Sequence, residues 1–249
     1  MIKTALMTTT LTAPYIYFTT IADLSSESAQ LLVEANKAFE ANDIQKVTEF
    51  YSKAVVKDEK SSHLWCNLGA ILAAQGIVNE GIQALRKALE LDANNAGAHY
   101  DLGTTFLSHG MLKEALEHLT KAYELEKTSA PMANNLAVAQ LHSRNYAQAE
   151  SLLTELTQAH PNFDYAYHNL GALWYDQSHY DKAQEWYNKG LTFNPHNYAS
   201  LNDLACTYAL SGTTDKALEY LKKSIESNSN YKMAYYNLGY ITYSQHLLD

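Results

Sequence analysis

Six side chains recur at an unbroken spacing of 34 residues: Asn67, Asp101, Asn135, Asn169, Asp203 and Asn237. An asparagine amide offers N–H donors and a carbonyl acceptor, the same kinds of group that a peptide unit presents. A row of such amides could therefore hydrogen-bond another chain's backbone without regard to its side chains. Other chemistry-bearing residues form no pattern. The 10 histidines contain no i, i+4 pair and no HExxH helix, and none combines with Cys66 or Cys206 at zinc spacing. The sequence has no glycine-rich phosphate loop and no nucleophile elbow. Catalysis would need an acid–base pair converging in a pocket, and nothing in the pattern suggests one. The expectation is a non-enzyme without metal or cofactor.

Charge narrows the partners. Acidic residues outnumber basic ones 27 to 18, for a net charge of −9, which argues against binding by phosphate neutralisation and hence against nucleic acid. With 47 % hydrophobic and 18 % charged residues, the chain is neither a disordered polymer nor a membrane bundle. The uncharged run Thr4–Ala22 is threonine-rich and broken by Pro14. A bilayer helix needs about 20 mostly apolar residues, so no membrane insertion is expected. Lys3 ahead of that run and Thr20-Ile21-Ala22 at its end leave a secretory signal open, although a clear A-x-A site is missing. The expected location is the cytoplasm, with secretion or the periplasm as the alternative if residues 1–22 are a signal peptide.

What positions the polar row is a repeat. Leu68, Leu102, Leu136, Leu170, Leu204 and Leu238 share its period, each followed by a small residue: Gly69, Gly103, Ala137, Gly171, Ala205 and Gly239. A second small column follows at Gly81, Ala115, Ala149, Ala183 and Ala217, with Ala35 and the larger Val47 completing the first unit. The units are 28–61, 62–95, 96–129, 130–163, 164–197 and 198–231, and residues 232–249 begin a seventh. Residues 1–27 form an N-terminal extension.

Each unit reads as two helices. Tyr167, Leu170, Gly171 and Trp174 share one helical face, and Ala183, Trp186, Tyr187 and Gly190 another. Between the helices stand Asn42, Gly76, Gly110 and Gly212, which accept the left-handed backbone that ends a helix. Arg144 and Ser178 hold that position in the other two units, so those turns are expected to be tighter or strained. Pro161 and Pro195 stop the second helices of their units. Where Gly171 faces Ala183, the two backbones should approach at the short end of the usual ~8–10 Å interaxial range.

This pattern resembles the tetratricopeptide repeat family. The best-matching units read Trp65…Leu68-Gly69…Leu72…Gly81…Leu85…Ala88 and Tyr167…Leu170-Gly171…Trp174…Ala183…Tyr187…Gly190…Pro195. The resemblance covers residues 28–249. Glu34 departs from it where leucine is usual, suggesting an end unit that meets water, and Leu156 departs where alanine is usual, suggesting local repacking. The resemblance implies an all-α fold, a right-handed α-solenoid of antiparallel helix pairs, with a concave groove lined by the first helix of each unit. Stacked in that way, Cys66 and Cys206 would lie roughly 40 Å apart at ~10 Å per helix layer, far beyond disulfide range.

By the same resemblance, six positions of each repeat face the groove. Among them are Asn36, Asn67, Asp101, Asn135, Asn169, Asp203 and Asn237, with Tyr100, Tyr165, His168, Tyr175, Tyr236 and Tyr240. The row from Asn67 to Asn237 looks like the asparagine ladder of the N-acetylglucosamine transferase that acts on intracellular proteins, where amides hold an extended peptide by its backbone. The alternative is that these amides bond only within the repeats. Tyr175, Tyr236 and Tyr240 are expected to be exposed in the groove, whereas Tyr167, Tyr187, Tyr208 and Tyr235 read as core fillers. No groove position holds Lys or Arg in any unit. Asn36 and Asn67 match the two asparagines of the chaperone-adaptor clamp, but Leu32, Gly97 and Asp101 stand where its three cations belong. A C-terminal carboxylate is therefore excluded as the ligand. Glu40, Asp101, Asp176 and Asp203 point to a neutral or basic segment of another protein.

The expected function is a non-catalytic adaptor that binds such a segment in its groove. The alternative is a structural or assembly subunit, as in secretion or envelope machinery, that binds through its ends or convex face. Residues 232–249 are apolar on nearly every side. That suggests either self-association through the C-terminal half repeat or a longer array. The uncharged stretch Ala5–Ile21 could pack over the first repeat or lie in a groove as a lid.

Overall fold

A computed structural model describes residues 24–246; the expectations for Ala5–Ile21 and for a signal peptide fall outside the described residues. Those residues hold thirteen helices and no strand. The first helices of the repeats are α1 (Ser26–Glu40), α3 (Ser62–Ala74), α5 (Ala96–Ser108), α7 (Ala130–His142), α9 (Asp164–Asp176), α11 (Tyr198–Leu210) and α13 (Lys232–His246). The second helices are α2 (Ile44–Lys57), α4 (Val78–Leu91), α6 (Leu112–Leu125), α8 (Tyr146–Ala159), α10 (Tyr180–Phe193) and α12 (Thr214–Ser227). From α4 onward, every helix begins 34 residues after its counterpart in the preceding unit. The fold is an all-α solenoid of helix hairpins.

The chain divides into two compact units, with the boundary between Ala139 and Gln140 inside α7. In the N-terminal unit, Leu32, Val47, Tyr51, Val55, Leu64, Leu68 and Ile71 form a buried cluster shared by α1, α2 and α3. In the C-terminal unit, Tyr175, Ala183, Tyr187 and Leu204 form one cluster, and Ala205, Ala217, Leu221, Ala234 and Ile241 another. Each sits where a hairpin meets the first helix of the next, so neighbouring hairpins share their apolar faces. Leu156 is buried in place of the usual alanine. Glu34 is partly exposed and pairs with Lys37 at 2.8 Å.

All six turns within the hairpins use one conformation. Gly76, Gly110 and Gly212 have φ of +73° to +80°, and Asn42, Arg144 and Ser178 have φ of +56° to +63°. The residue after each turn donates its N–H to the carbonyl five residues back, as in Asp43 to Ala38, Ile77 to Leu72, His179 to Trp174 and Thr213 to Tyr208. That bond satisfies a carbonyl at the helix end that has no partner within the helix. The turns at Arg144 and Ser178 are therefore not tighter. They adopt the same left-handed backbone, at a cost of roughly 1–2 kcal/mol for a residue with a Cβ.

The small columns act as seats. A Cβ on Gly69 would lie 2.6 Å from Cγ of Leu85, and one on Gly103 would lie 2.6 Å from Cγ of Leu119. At Gly171 it would strike the ring of Tyr187 at 2.5 Å, so the side chain over this glycine is Tyr187, four residues beyond Ala183. Leu85, Leu119 and Tyr187 are fully buried on these seats. Gly239 differs, for a Cβ there would meet nothing within 4 Å. Gly171→Val should therefore destabilise the protein by about 2 kcal/mol or more through overpacking. Gly239→Ala should instead stabilise α13 by up to about 1 kcal/mol, the helix-propensity gain. Urea unfolding of the two variants, followed by circular dichroism, checks both signs.

Candidate functional site

The face in question is built from the first helices, so their charge comes first. Helices α3, α5, α7, α9 and α11 contain no lysine or arginine. Their acids are Asp101 in α5, Asp164 and Asp176 in α9, and Asp203 in α11. The cations between residues 46 and 223 lie on second helices or in loops. In the C-terminal unit several of them cover aromatic rings, on the first helix α9 as well as on second helices. Lys182 stands 3.9 Å from the Trp174 ring centroid, and Lys189 stands 4.2 Å from that of Trp186.

The 34-residue polar row lies deeper than expected. Asn67, Asn135 and Asn169 are fully buried, and Asp101, Asp203 and Asn237 nearly so. Each engages neighbours within its own unit or has a further partner. In the N-terminal unit, the Asn135 amide donates to Tyr100 Oη at 2.8 Å and to Thr104 Oγ1 at 3.3 Å, bridging α7 to α5. The Cys66 thiol donates to Asp101 Oδ2 at 3.8 Å, bridging α3 to α5. In the C-terminal unit, the Asn237 amide donates to Asn202 Oδ1 at 3.0 Å and to Cys206 Sγ at 3.4 Å, tying α13 to α11. His168 joins Ser200 Oγ through Nδ1 at 2.9 Å and faces Asp203 Oδ2 from Nε2 at 3.6 Å, tying α9 to α11. These cross-repeat bonds fix the lateral register of the first helices, because a buried amide left without a partner costs ~1–3 kcal/mol.

The aromatic members divide. Tyr165 is 37 % exposed and Tyr236 is 48 % exposed, while Tyr240 is half-buried against the α11–α13 cluster. Tyr100 and His168 are fully buried. Tyr175, expected at the surface, is buried instead: it belongs to the cluster with Ala183 and Tyr187, and its ring meets Tyr180 edge-on. Burial pushes its hydroxyl pKa well up. Tyr235, expected in the core, is 49 % exposed, because among the described residues no second helix packs on α13. Asn36 is exposed on α1 beside Phe39 and Glu40, and Asp176 is exposed at the end of α9, where it accepts a hydrogen bond from the Tyr146 hydroxyl.

Nothing here assembles a metal centre: among the described residues no group of three or more His, Cys, Asp or Glu could hold an ion. A cavity of about 480 Å³ between α10 and α12 is lined by Leu191, His196, Leu201, Tyr220, Lys223 and Glu226. Its Lys223 is already paired with Glu219 at 2.6 Å. No described helix is long and apolar enough to cross a membrane.

Two chemical consequences were not legible in the repeat pattern. Both thiols are buried, and desolvation, with Asp101 beside Cys66 and Asp203 near Cys206, raises both thiol pKa values far above the ordinary value. The thiolate is the reactive form, so neither cysteine should react with a disulfide reagent at pH 8 until the chain is unfolded, when both should. Timed thiol titration with and without denaturant checks this.

The second is a histidine pair. His99 in α5 and His118 in α6 bring their Nδ1 atoms to 2.9 Å, and His99 Nε2 lies 3.2 Å from the Ala93 carbonyl. With Nε2–H donated to that carbonyl, His99 Nδ1 accepts from His118 Nδ1–H, an arrangement that needs the His99 ring neutral. Burial lowers both pKa values. Lys121 adds to this at His99, and His99 and Arg86 add to it at His118, while Glu117 opposes it at both rings. The unfolded chain thus takes up protons near the ordinary histidine value of 6.5 before the folded chain does. The pair's contribution is whole above that pH and is lost as pH falls through it. The melting temperature should drop between pH 7.5 and 5.5, and His118→Gln should flatten part of that slope.

Comparison with known proteins agrees with this geometry. Profiles described as "Tetratricopeptide repeat" match residues 106–173, 164–197 and 198–231, and one described as "TPR repeat" matches residues 72–110. No curated protein sequence matches the chain. Among solved structures, it is similar to a chain of the APC/C hetero-tetramer Cut9-Hcn1, with 19 % identity and a TM-score of 0.75 over 86 % of this chain. That match spans only 42 % of the relative's own length. PilW, a type IV pilus biogenesis factor, is 16 % identical with a TM-score of 0.76, over 88 % of this chain and 99 % of its own. YrrB, a TPR protein with an unusual peptide-binding site, is 22 % identical with a TM-score of 0.55, over 75 % of this chain and 96 % of its own. At these identities the likeness shows the fold. Four profile matches running without a gap from residue 72 to residue 231, on helix hairpins of constant period, establish that the chain belongs to the tetratricopeptide repeat family.

Proposed function

We propose that this protein is a non-catalytic adaptor whose first-helix faces receive an extended neutral or basic segment of another protein. Proteins of this family act in protein–protein interaction or as scaffolds and are generally non-catalytic. The observation that carries the finer reading is the segregation of charge: five first helices without one cation, among second helices and loops that hold the lysines and arginines. A basic segment laid on the first helices of the N-terminal unit meets the exposed Glu40, one laid on those of the C-terminal unit meets the exposed Asp176, and neither meets a like charge on those five helices. Exposed rings on the same helices, Phe39 in α1 and Tyr165 in α9, supply flat apolar contact with little rotamer entropy to lose. The buried amides of the polar row support this surface from beneath by holding the helices in register. The peptide-binding site named for YrrB points the same way.

A second reading is favoured by α13. Its exposed Tyr235, Tyr236 and Tyr243 are large for a helix at the edge of a stack, and they suit an assembly subunit that binds through its end. The complex named for Cut9-Hcn1 and the pilus role named for PilW support it by analogy. Localisation in the cytoplasm belongs with the first reading as a proposal of the same standing.

Peptide-array selection followed by titration tests the adaptor reading. Basic or neutral sequences should be selected, and their affinity should fall several-fold between about 50 and 300 mM salt, because rim charges are screened. Phe39→Ser and Tyr165→Ser should each weaken binding by about 3–10-fold with the melting temperature unchanged. Selection of acidic sequences would overturn the reading.

A further inference from the structure

Helix α13 is a first helix that carries no second helix among the described residues, and its face keeps the parts by which the hairpins close. In the complete repeats a glycine seat on the first helix takes a side chain from the second. That side chain stands four residues after a small one: Leu85 after Gly81, Leu119 after Ala115, Tyr187 after Ala183. Each of these side chains is fully buried on its seat, Gly69, Gly103 or Gly171. Helix α13 holds both halves of this device. Gly239 is an exposed seat with nothing within 4 Å of where its Cβ would be. Tyr243, four residues later on nearly the same face, is 65 % exposed.

We propose that α13 pairs antiparallel with α13 of a second copy of this chain, Tyr243 of each copy seated on Gly239 of the other. The proposal rests on the second reading above, binding through the end of the stack, and is independent of the peptide-binding reading. A two-fold axis passing near Ile241 puts both contacts in register at once, since Gly239 and Tyr243 lie equally far on either side of that residue. The antiparallel sense is that of the hairpins themselves, so the contact continues the packing already present between first and second helices. Bare backbone at Gly239 lets the two helices approach as closely as Gly69 lets α3 approach α4. Tyr235 lies one turn before Gly239, extends the same apolar face and is 49 % exposed.

Charge permits a second copy here and discourages it elsewhere. The chain carries a net charge of −9, so two copies repel over most of their surfaces. Within α13 the sole Lys, Arg, Asp or Glu is Lys232, at its first residue. Two such helices meet without an opposed pair of acids.

Sedimentation equilibrium of the full chain from about 1 to 100 µM provides the test. Wild type should dimerise at tens of micromolar. Gly239→Leu fills the seat from within, and Tyr243→Ala removes the side chain that enters it. Each should raise the dimer Kd by about tenfold or more. Both should leave the monomer's circular dichroism unchanged, since a Cβ at Gly239 touches nothing and the Tyr243 ring is largely solvated. The double variant should be no weaker than either single one, because both remove the same contact. A wild-type monomer at 100 µM would overturn the proposal and leave the face to a helix of another protein. A dimer that survives both single variants would overturn it as well. Neither result touches the peptide-binding reading, which is measured separately by the salt dependence of peptide affinity.

Discussion

Close approach of two helix backbones at a residue without a side chain is the contact on which the repeat depends. Gly69, Gly103 and Gly171 each leave a hollow in a first helix that Leu85, Leu119 or Tyr187 fills from the second helix. Because interiors pack at crystal-like density, a filled hollow leaves little freedom for the hairpin to slide or rotate. The left-handed turn then sets the return path, identically in six turns and even where Arg144 and Ser178 must accept a positive φ. With the hairpin fixed, residues at a given place in the complete repeats have similar surroundings, so one column of side chains can largely share one task.

Three columns show how the tasks divide. Small residues close the hairpin. Amides and carboxylates in the row from Asn67 to Asn237 join consecutive first helices inside each unit, through bonds such as Asn135 to Tyr100 and Asn237 to Asn202. Between α2 and α12 the lysines stand on second helices and in loops, and several reach rings of either helix: Trp174 and Tyr208 on first helices, Trp186 and Tyr220 on second ones. On the proposed reading, first helices without cations favour basic or neutral segments over acidic ones, without any single strong binding group. That is the physics of an adaptor surface, in which many weak and similar contacts add.

Much of this was readable from residue order. The period, the hairpins, their turns and the family follow from spacing, because a 34-residue repeat of leucine, a small residue and a turn residue has one economical solution in helices. The absence of cations from the five first helices α3 to α11 was visible in the same way. Tyr175 and Tyr235 show where column reading stops. Both sit at family positions with an assigned side, yet Tyr175 is turned inward by Tyr180 and Tyr187, and Tyr235 is left outside because, among the described residues, no second helix packs on α13. A column assigns a direction relative to the helix axis; burial depends on what stands opposite, and sequence spacing does not contain that.

The sequence by itself determined that this chain is a stack of helix pairs with a polar row, small seats and no cations on five of its first helices, α3, α5, α7, α9 and α11. These properties are local and repeat with the period, so each copy confirms the others. Tertiary structure alone decided how deep the polar row lies, which tyrosines reach solvent, and that His99 and His118 meet at 2.9 Å. It also decided that Gly239 is an empty seat while its counterparts are full. Each of these depends on the distance between residues on different helices, where a shift of one side chain's width separates a buried group from an exposed one.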